Sequence, residues 1–260
     1  MLGGMEMLRA ETPLTGFVSA KAQALVCYLA LTQRSHARST LATLFWQDLS
    51  ESAAATNLRV VLANLKRILG PSLIITRQTL GFNPLNAPWV DAVAFCELAD
   101  PTQADPLLLQ QADALYVGDF LAGFIVRNAP AFDEWVLGQR EMLRQRAIRM
   151  LRLLALHHVE RGAYDLAADY LQRLLEIEPW LEEAHRALMV TLTAGGRRGA
   201  ALRQYERCRQ LLSDELDVIP LAQTTRLYHA IRHGESLGAD WERPVLTALM
   251  KPQADFALVG

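Results

Sequence analysis

Ser50–Gly70, SESAAATNLRVVLANLKRILG, is the stretch whose reading decides the fold. Leu58, Val61, Leu62, Leu65 and Leu69 recur at helical spacing and form one apolar stripe, so the segment is a helix with one side on a core. Thr56, Val60, Ala63, Asn64 and Arg67 lie opposite the stripe, Arg59 and Lys66 stand on its shoulder, and no acid follows Glu51. Small residues, an amide and three cations on one face suit a helix lying in a DNA major groove, where amides and guanidinium groups read base edges. A solvated surface helix would carry the same pattern. The flanking segments have to decide between the two.

Upstream, Ser19 can cap a helix over 20–31 whose buried side is Ala22, Leu25, Val26 and Leu29, with Lys21 in its first turn. A second cap, Ser39, opens a short helix from Thr40 to Trp46. Short strands are expected at Met5–Leu8 and around Phe17, divided by a turn at Glu11-Thr12-Pro13, in a segment that reads as short of a few residues at its start. Downstream of Gly70-Pro71 the period changes. Leu73 to Thr76 and Leu80 to Phe82, with Arg77-Gln78-Thr79 between, read as a β-hairpin ending at Asn83-Pro84. Strands, three helices and a terminal hairpin in that order make a winged helix-turn-helix with the hairpin as its wing.

Composition fits a globular protein of two domains: 260 residues, 51% apolar and 21% charged. Cys27, Cys96 and Cys208 are odd in number and embedded in apolar helical patterns, which suits reduced core thiols of a cytoplasmic protein and no disulfide framework. No signal peptide and no bilayer-length apolar run is present. The net charge of −2 hides an asymmetry. Residues 1–85 carry eight Lys/Arg against four Asp/Glu, and residues 86–143 carry two against nine. A basic first domain is what phosphate attraction needs, because that attraction is local to the contacting face.

The phrases KAQALVCYLAL, STLATLFWQD, ATNLRVVLANLKRILG, TLGFNP and WVDAVAF, in that order, resemble the OmpR-like winged-helix domain of the bacterial antibiotic regulatory protein family of transcriptional activators. The resemblance puts the DNA-reading helix on residues 54–69. Val60 and Ala63 depart from it, standing outward where the family more often has polar side chains. Base reading is therefore expected of Thr56, Arg59, Val60, Ala63, Asn64 and Arg67, resting most on Arg59, Asn64 and Arg67, with Val60 against a thymine methyl. Phosphate contact is expected of Lys21, Arg38, Ser39, Lys66 and Arg77.

Beyond Asp91, expected to cap a helix reaching Leu98 ahead of a loop at Asp100-Pro101, the strand signal disappears. Gly162 and Gly196 are 34 residues apart, as are Ala167 and Ala201, and Leu171 and Tyr205. That is the tetratricopeptide period, in which a small residue lets two helices approach and a glycine turns the chain. Pro179 closes the first repeat, and the helices are expected to end near Ile231. YVGDFLAGF, APAFDEWVLGQREMLRQ and the long run from Glu178 to Leu216 resemble the bacterial transcriptional activation domain that accompanies these winged helices. The expected fold is thus mainly α: a winged-helix domain over 1–90, an all-α tetratricopeptide-like domain over 91–235, and a linker over 236–260. The last letters, FALVG, resemble the lead-in to a nucleotide-binding ATPase module. The resemblance implies binding of repeated sites on double-stranded DNA, recruitment of RNA polymerase, and a homodimer on DNA, with no membrane partner. The acidic 86–143 stretch is a candidate polymerase surface.

No enzyme signature and no cofactor site is read. AGGRRGA, residues 194–200, lacks the Gly-Lys-Ser/Thr ending of a phosphate loop and is a repeat turn. His229 and His233 are one helical turn apart but lack the glutamate and third ligand of a zinc motif. Trp135, Tyr164, Tyr170, Trp180 and Tyr205 fall at packing positions, where core burial competes with a role in a peptide groove. The competing function is a repeat-type interaction arm of a larger signalling ATPase, without specific DNA binding.

Overall fold

The computed structural model describes residues 1–102, 104–237, 245, 246 and 249. The chain forms two compact units, Met1–Asp100 with Gln111–Arg146, and Pro101–Gln110 with the chain from Ala147 onward. Apart from its first two residues and three isolated positions, the expected linker over 236–260 lies outside the described residues.

The first unit is a winged helix. Its hub is α1 (Ala20–Thr32), whose Ser19 cap accepts the Ala22 N–H at 3.2 Å as the sequence implied. One buried side was expected, yet Ala22 and the whole run Ala24–Ala30 are buried. The reason is that α1 has neighbours on several sides, including α3 (Glu51–Leu69), strand β5 (Thr79–Phe82) and aromatic rings from further along the chain. α2 spans Arg38–Trp46. Its N-cap is Ala37, which makes no side-chain cap, so Ser39 is a residue of the first turn and not the expected cap. Ser50 does cap α3, accepting the Ala53 N–H at 3.4 Å, and the helix begins three residues earlier than expected.

The wing pairs β4 (Leu73–Ile75) with β5, in register Leu73↔Phe82 and Ile75↔Leu80. A strand not anticipated from sequence, β3 (His36–Ala37), adds to the other edge of β5, giving the order β3-β5-β4. β5 passes so close to Ser35 that a Cβ on Gly81 would stand 2.6 Å from its Oγ and 3.0 Å from its Cα. Only glycine fits there. At the start of the chain, β1 (Leu8–Arg9) and β2 (Thr12–Pro13) form a two-residue hairpin turned by Ala10 and Glu11, both at positive φ (47° and 64°). The strands expected at Met5–Leu8 and Phe17 are thus displaced. Thr12 and Pro13 are strand rather than turn, because a turn with two positive-φ residues announces itself by Asn or Gly, and Ala-Glu gives no such signal.

α4 (Asp91–Leu98) begins on Asp91, with Val90 as N-cap; Asp91 Oδ1 accepts the Ala92 N–H at 2.7 Å and Oδ2 accepts that of Leu2 at 2.9 Å. α5 (Pro106–Leu115) occupies what reads in the sequence as loop. α6 (Pro130–Glu160) is continuous, and its residues up to Arg146 belong to the first unit. There Phe132 meets Phe45 at 5.1 Å between ring centroids, and Trp135 meets Tyr28 at 4.8 Å and Phe120 at 5.9 Å. Arg140 fixes the preceding turn, giving hydrogen bonds of 2.8 and 2.9 Å to the carbonyls of Phe120 and Leu121.

The second unit continues α6 into α7 (Tyr164–Ile177), α8 (Glu182–Ala194), α9 (Arg198–Leu216) and α10 (Ala222–His233), each packed on the next from α7 on. The 34-residue correspondences hold in space. Gly162 and Gly196 turn at φ of 70° and 74°, and Ala167, Ala201, Leu171 and Tyr205 are all buried. α10 is tied down by Glu182, whose carboxylate accepts the Leu221 N–H at 2.9 Å and the Thr224 hydroxyl. Arg186 donates to the same hydroxyl at 2.9 Å and pairs with Glu183 at 3.3 Å.

Candidate nucleic-acid interface

α3 has the two sides that its sequence demands. Ala54, Leu58, Val61, Leu62, Leu65 and Leu69 are buried, while Thr56, Arg59, Val60, Ala63, Lys66 and Arg67 are exposed. Val60, an apolar side chain 55% exposed in the middle of that outer side, is what a groove-reading helix offers a thymine methyl. Arg59, Lys66 and Arg77 make no hydrogen bond or ion pair among the described residues. Their charges are fully available.

Within this set the structure separates two groups. Thr56, Arg59, Val60 and Ala63 stand on successive turns of the N-terminal and middle part of α3, and the Thr56 hydroxyl donates to the Ser52 carbonyl at 2.8 Å, leaving its lone pairs for an incoming donor. Asn64 is differently employed. Its Oδ1 accepts the Val18 N–H at 3.1 Å and its Nδ2 donates to the Gly16 carbonyl at 3.0 Å. Arg67 reaches the same carbonyl at 3.4 Å. The segment before α1 is thereby strapped across the C-terminal half of α3, and the Asn64 amide, which holds the strap with one N–H and one lone pair, keeps one of each for a further partner. Spacing could not have given this second employment: an outward Asn looks identical whether or not a loop lies against it.

The phosphate-contact set divides in the same way. The Arg38 N–H donates to the Gln78 carbonyl at 2.8 Å and its Nη1 to the Thr76 carbonyl at 3.3 Å, so the first turn of α2, with Ser39, and the wing tip with Arg77 come together. Lys66 stands on α3. Lys21 does not join them. Its ammonium donates to the carbonyls of Phe45 and, at 2.7 Å, Asn128, and lies 5.3 Å from the centre of the Trp46 ring. A cation there satisfies the carboxyl end of α2, as cations do at helix C-termini. Burial lowers its pKa, with Asp48 opposing. Lys21 is a staple of the fold.

Among the described residues no group of three or more His, Cys, Asp or Glu is placed to hold a metal ion, and the rings of His229 and His233 are 6.4 Å apart. Burial pushes the Cys27 and Cys208 thiols up to about 12, the opposite of what a nucleophile needs. Tyr205 stacks on Tyr228 at 4.1 Å inside the repeats. No helix among the described residues is long and apolar enough to cross a membrane.

Residues 91–232 match the bacterial transcriptional activator domain. The chain is 26% identical over 253 residues to Regulatory protein AfsR of Streptomyces griseus, covering 93% of this chain and 24% of that protein. It is 27% identical over 221 residues to Regulatory protein AfsR of Streptomyces coelicolor, covering 81% and 21%. It therefore spans about a quarter of the length of the curated relatives it matches. Among solved structures it resembles Mycobacterium tuberculosis EmbR, determined in complex with a low affinity phosphopeptide, with a TM-score of 0.66 over 95% of this chain and 67% of that one. At 19% identity that likeness speaks to the fold alone.

Proposed function

This chain belongs to the bacterial antibiotic regulatory protein family of transcriptional activators, with its bacterial transcriptional activator domain, and from that premise we propose that it is a cytoplasmic, sequence-specific DNA-binding activator and not an enzyme. Residues 1–90 are the DNA-binding domain and 91–235 the activation domain. The exposed part of α3 carrying Thr56, Arg59, Val60 and Ala63 enters the major groove and reads bases, with Arg67 at its end. Arg38, Ser39, Lys66 and Arg77 hold phosphates on either side. The protein binds repeated operator sites on double-stranded DNA as a homodimer and recruits RNA polymerase through its acidic 86–143 stretch. The observation that carries this reading is the outer side of α3: uncommitted cations around an exposed apolar centre, free of acids after Glu51.

One selection tests binding, specificity and repeat spacing together: sequences recovered from random duplex DNA by the full chain. Enrichment of a repeated motif, with log affinity falling steeply against log salt, supports the reading. The neutral Val60 and Ala63 favour one alternative, a tetratricopeptide-like regulatory arm of a signalling ATPase without specific DNA binding. No enriched motif and a salt slope near zero would establish that alternative instead.

A further inference from the structure

At the C-terminal end of α3, strand β1, the last turn of the helix and the turn Gly70–Ser72 border an open cleft of about 510 Å³. Four of its lining residues bear polar side chains, namely Arg9, Arg67, Ser72 and Asn86. All four can donate hydrogen bonds, and no carboxylate lines the cleft. The Arg9 guanidinium makes no hydrogen bond or ion pair among the described residues. Arg67 gives one bond, to the Gly16 carbonyl at 3.4 Å, out of the five N–H groups that a guanidinium carries. One feature opposes an anion here. The carbonyl end of α3 is close by, with a helix-dipole charge of about half a unit, negative. Part of it is already answered by the Gly70 N–H, which bonds the Lys66 carbonyl. Two whole guanidinium charges outweigh the remainder. Arg9 lies outside α2, α3 and the wing, so no part of the reading face accounts for it.

We propose that this cleft is a phosphate-binding site in which Arg9 and Arg67 clamp the phosphoryl oxygens, with Ser72 and Asn86 as further donors. Planar guanidinium forks match phosphate geometry, and two of them line this one cleft. The phosphate can belong to the backbone of a bound duplex or to a free polyphosphate anion. Assignment to a duplex rests on the DNA-binding reading; affinity for phosphate does not.

The experiment uses the full chain with Arg9→Ala, Arg9→Lys and, as a control that removes one exposed charge elsewhere on the same unit, Arg34→Ala. Inorganic tripolyphosphate and random-sequence duplex are titrated separately. Arg9→Ala should weaken tripolyphosphate binding about threefold or more, Arg9→Lys should recover part of it, and Arg34→Ala should leave it unchanged. On the duplex, Arg9→Ala should reduce the slope of log affinity against log salt by about one, equally for preferred and scrambled sequences. Loss confined to tripolyphosphate would keep the cleft as a site for a free anion and remove it from the DNA contact. If Arg9→Ala behaves like Arg34→Ala toward both probes, the proposal is overturned, whatever the fate of the DNA-binding reading.

Discussion

Arg59 and Asn64 are five residues apart on α3 and both face outward, yet the structure gives them different work. Among the described residues the Arg59 side chain has no partner, so Arg59→Ala should leave stability within about 0.5 kcal/mol and lower discrimination between operator and scrambled duplex by about 1–3 kcal/mol. Arg77→Ala on the wing should instead weaken both duplexes alike. Asn64→Ala removes two hydrogen bonds to the Gly16–Val18 strap, a loss of about 1–2 kcal/mol. Alanine's better helix propensity returns about 0.5 kcal/mol. A net destabilisation of about 1 kcal/mol is expected in denaturant unfolding, with faster amide exchange at Val18; loss of operator preference without that exchange change would assign Asn64 to base reading and not to the strap. His36 supplies a pH dependence. Thr32 Oγ1 already donates to the Tyr28 carbonyl at 2.7 Å, so the 2.7 Å contact with His36 requires a donating Nε2–H, and the ring is buried as the neutral tautomer against Tyr28. Burial, then the nearby Arg34 charge, lowers its pKa. The unfolded chain therefore binds this proton first. Stability from this site is complete above the ordinary histidine range near pH 6.5 and is lost as pH falls below it. Urea midpoints of His36→Gln should fall less steeply between about pH 7 and 5 than those of the parent chain.

At the scale of elements, what could be read from the sequence is whatever repeats along one helix. The stripe of α3, the Ser19 cap and the 34-residue period all follow from chain-local geometry, and the structure has them. Elements set by distant contacts were silent. β3 is two residues long and exists because β5 comes alongside it, and no period can show in two residues. α5 was hidden behind Asp100-Pro101, where a loop signal masked the helix that starts at Pro106. In the candidate site, the outward side of α3 was legible, whereas the strap on Asn64, the staple made by Lys21 and the cleft at Arg9 depend on segments 46, 107 and 58 residues away in sequence. Glu182 is a further case, a first-turn acid that reads as complementing the dipole of its own helix and that in fact holds the start of α10. Glu182→Ala strips Leu221 and Thr224 of their acceptor and removes the carboxylate 3.9 Å from Arg186, leaving that guanidinium with Glu183 and the Thr224 hydroxyl. Breaking a buried pair of this kind costs about 3 kcal/mol. Amide exchange should show α10 opening ahead of α8, and simultaneous loss of both helices would mean that Glu182 is not the local anchor.

On the scale of the whole molecule, compactness and family match divide the chain at different places. The activator-domain match begins at residue 91, while residues 111–146 pack with the winged helix as one unit. The physical cause is the size of the winged-helix core. Its three helices and small sheets leave one side of Tyr28 and Phe45 to be covered from outside, where Trp135 meets Tyr28 and Phe132 meets Phe45, with Phe120 backing Trp135. Aromatic pairs of this edge-on and tilted kind add about 0.5–1.5 kcal/mol each beyond the area they bury. Trp135→Ala, a change lying outside 1–90, should therefore destabilise the winged helix by about 2–4 kcal/mol and speed amide exchange along α1, while exchange along α8 and α9 stays at its original rate. Should α1 keep its protection in that variant, the first 90 residues would be self-sufficient, and the aromatic contacts with α6 would be packing without consequence for the DNA-binding domain.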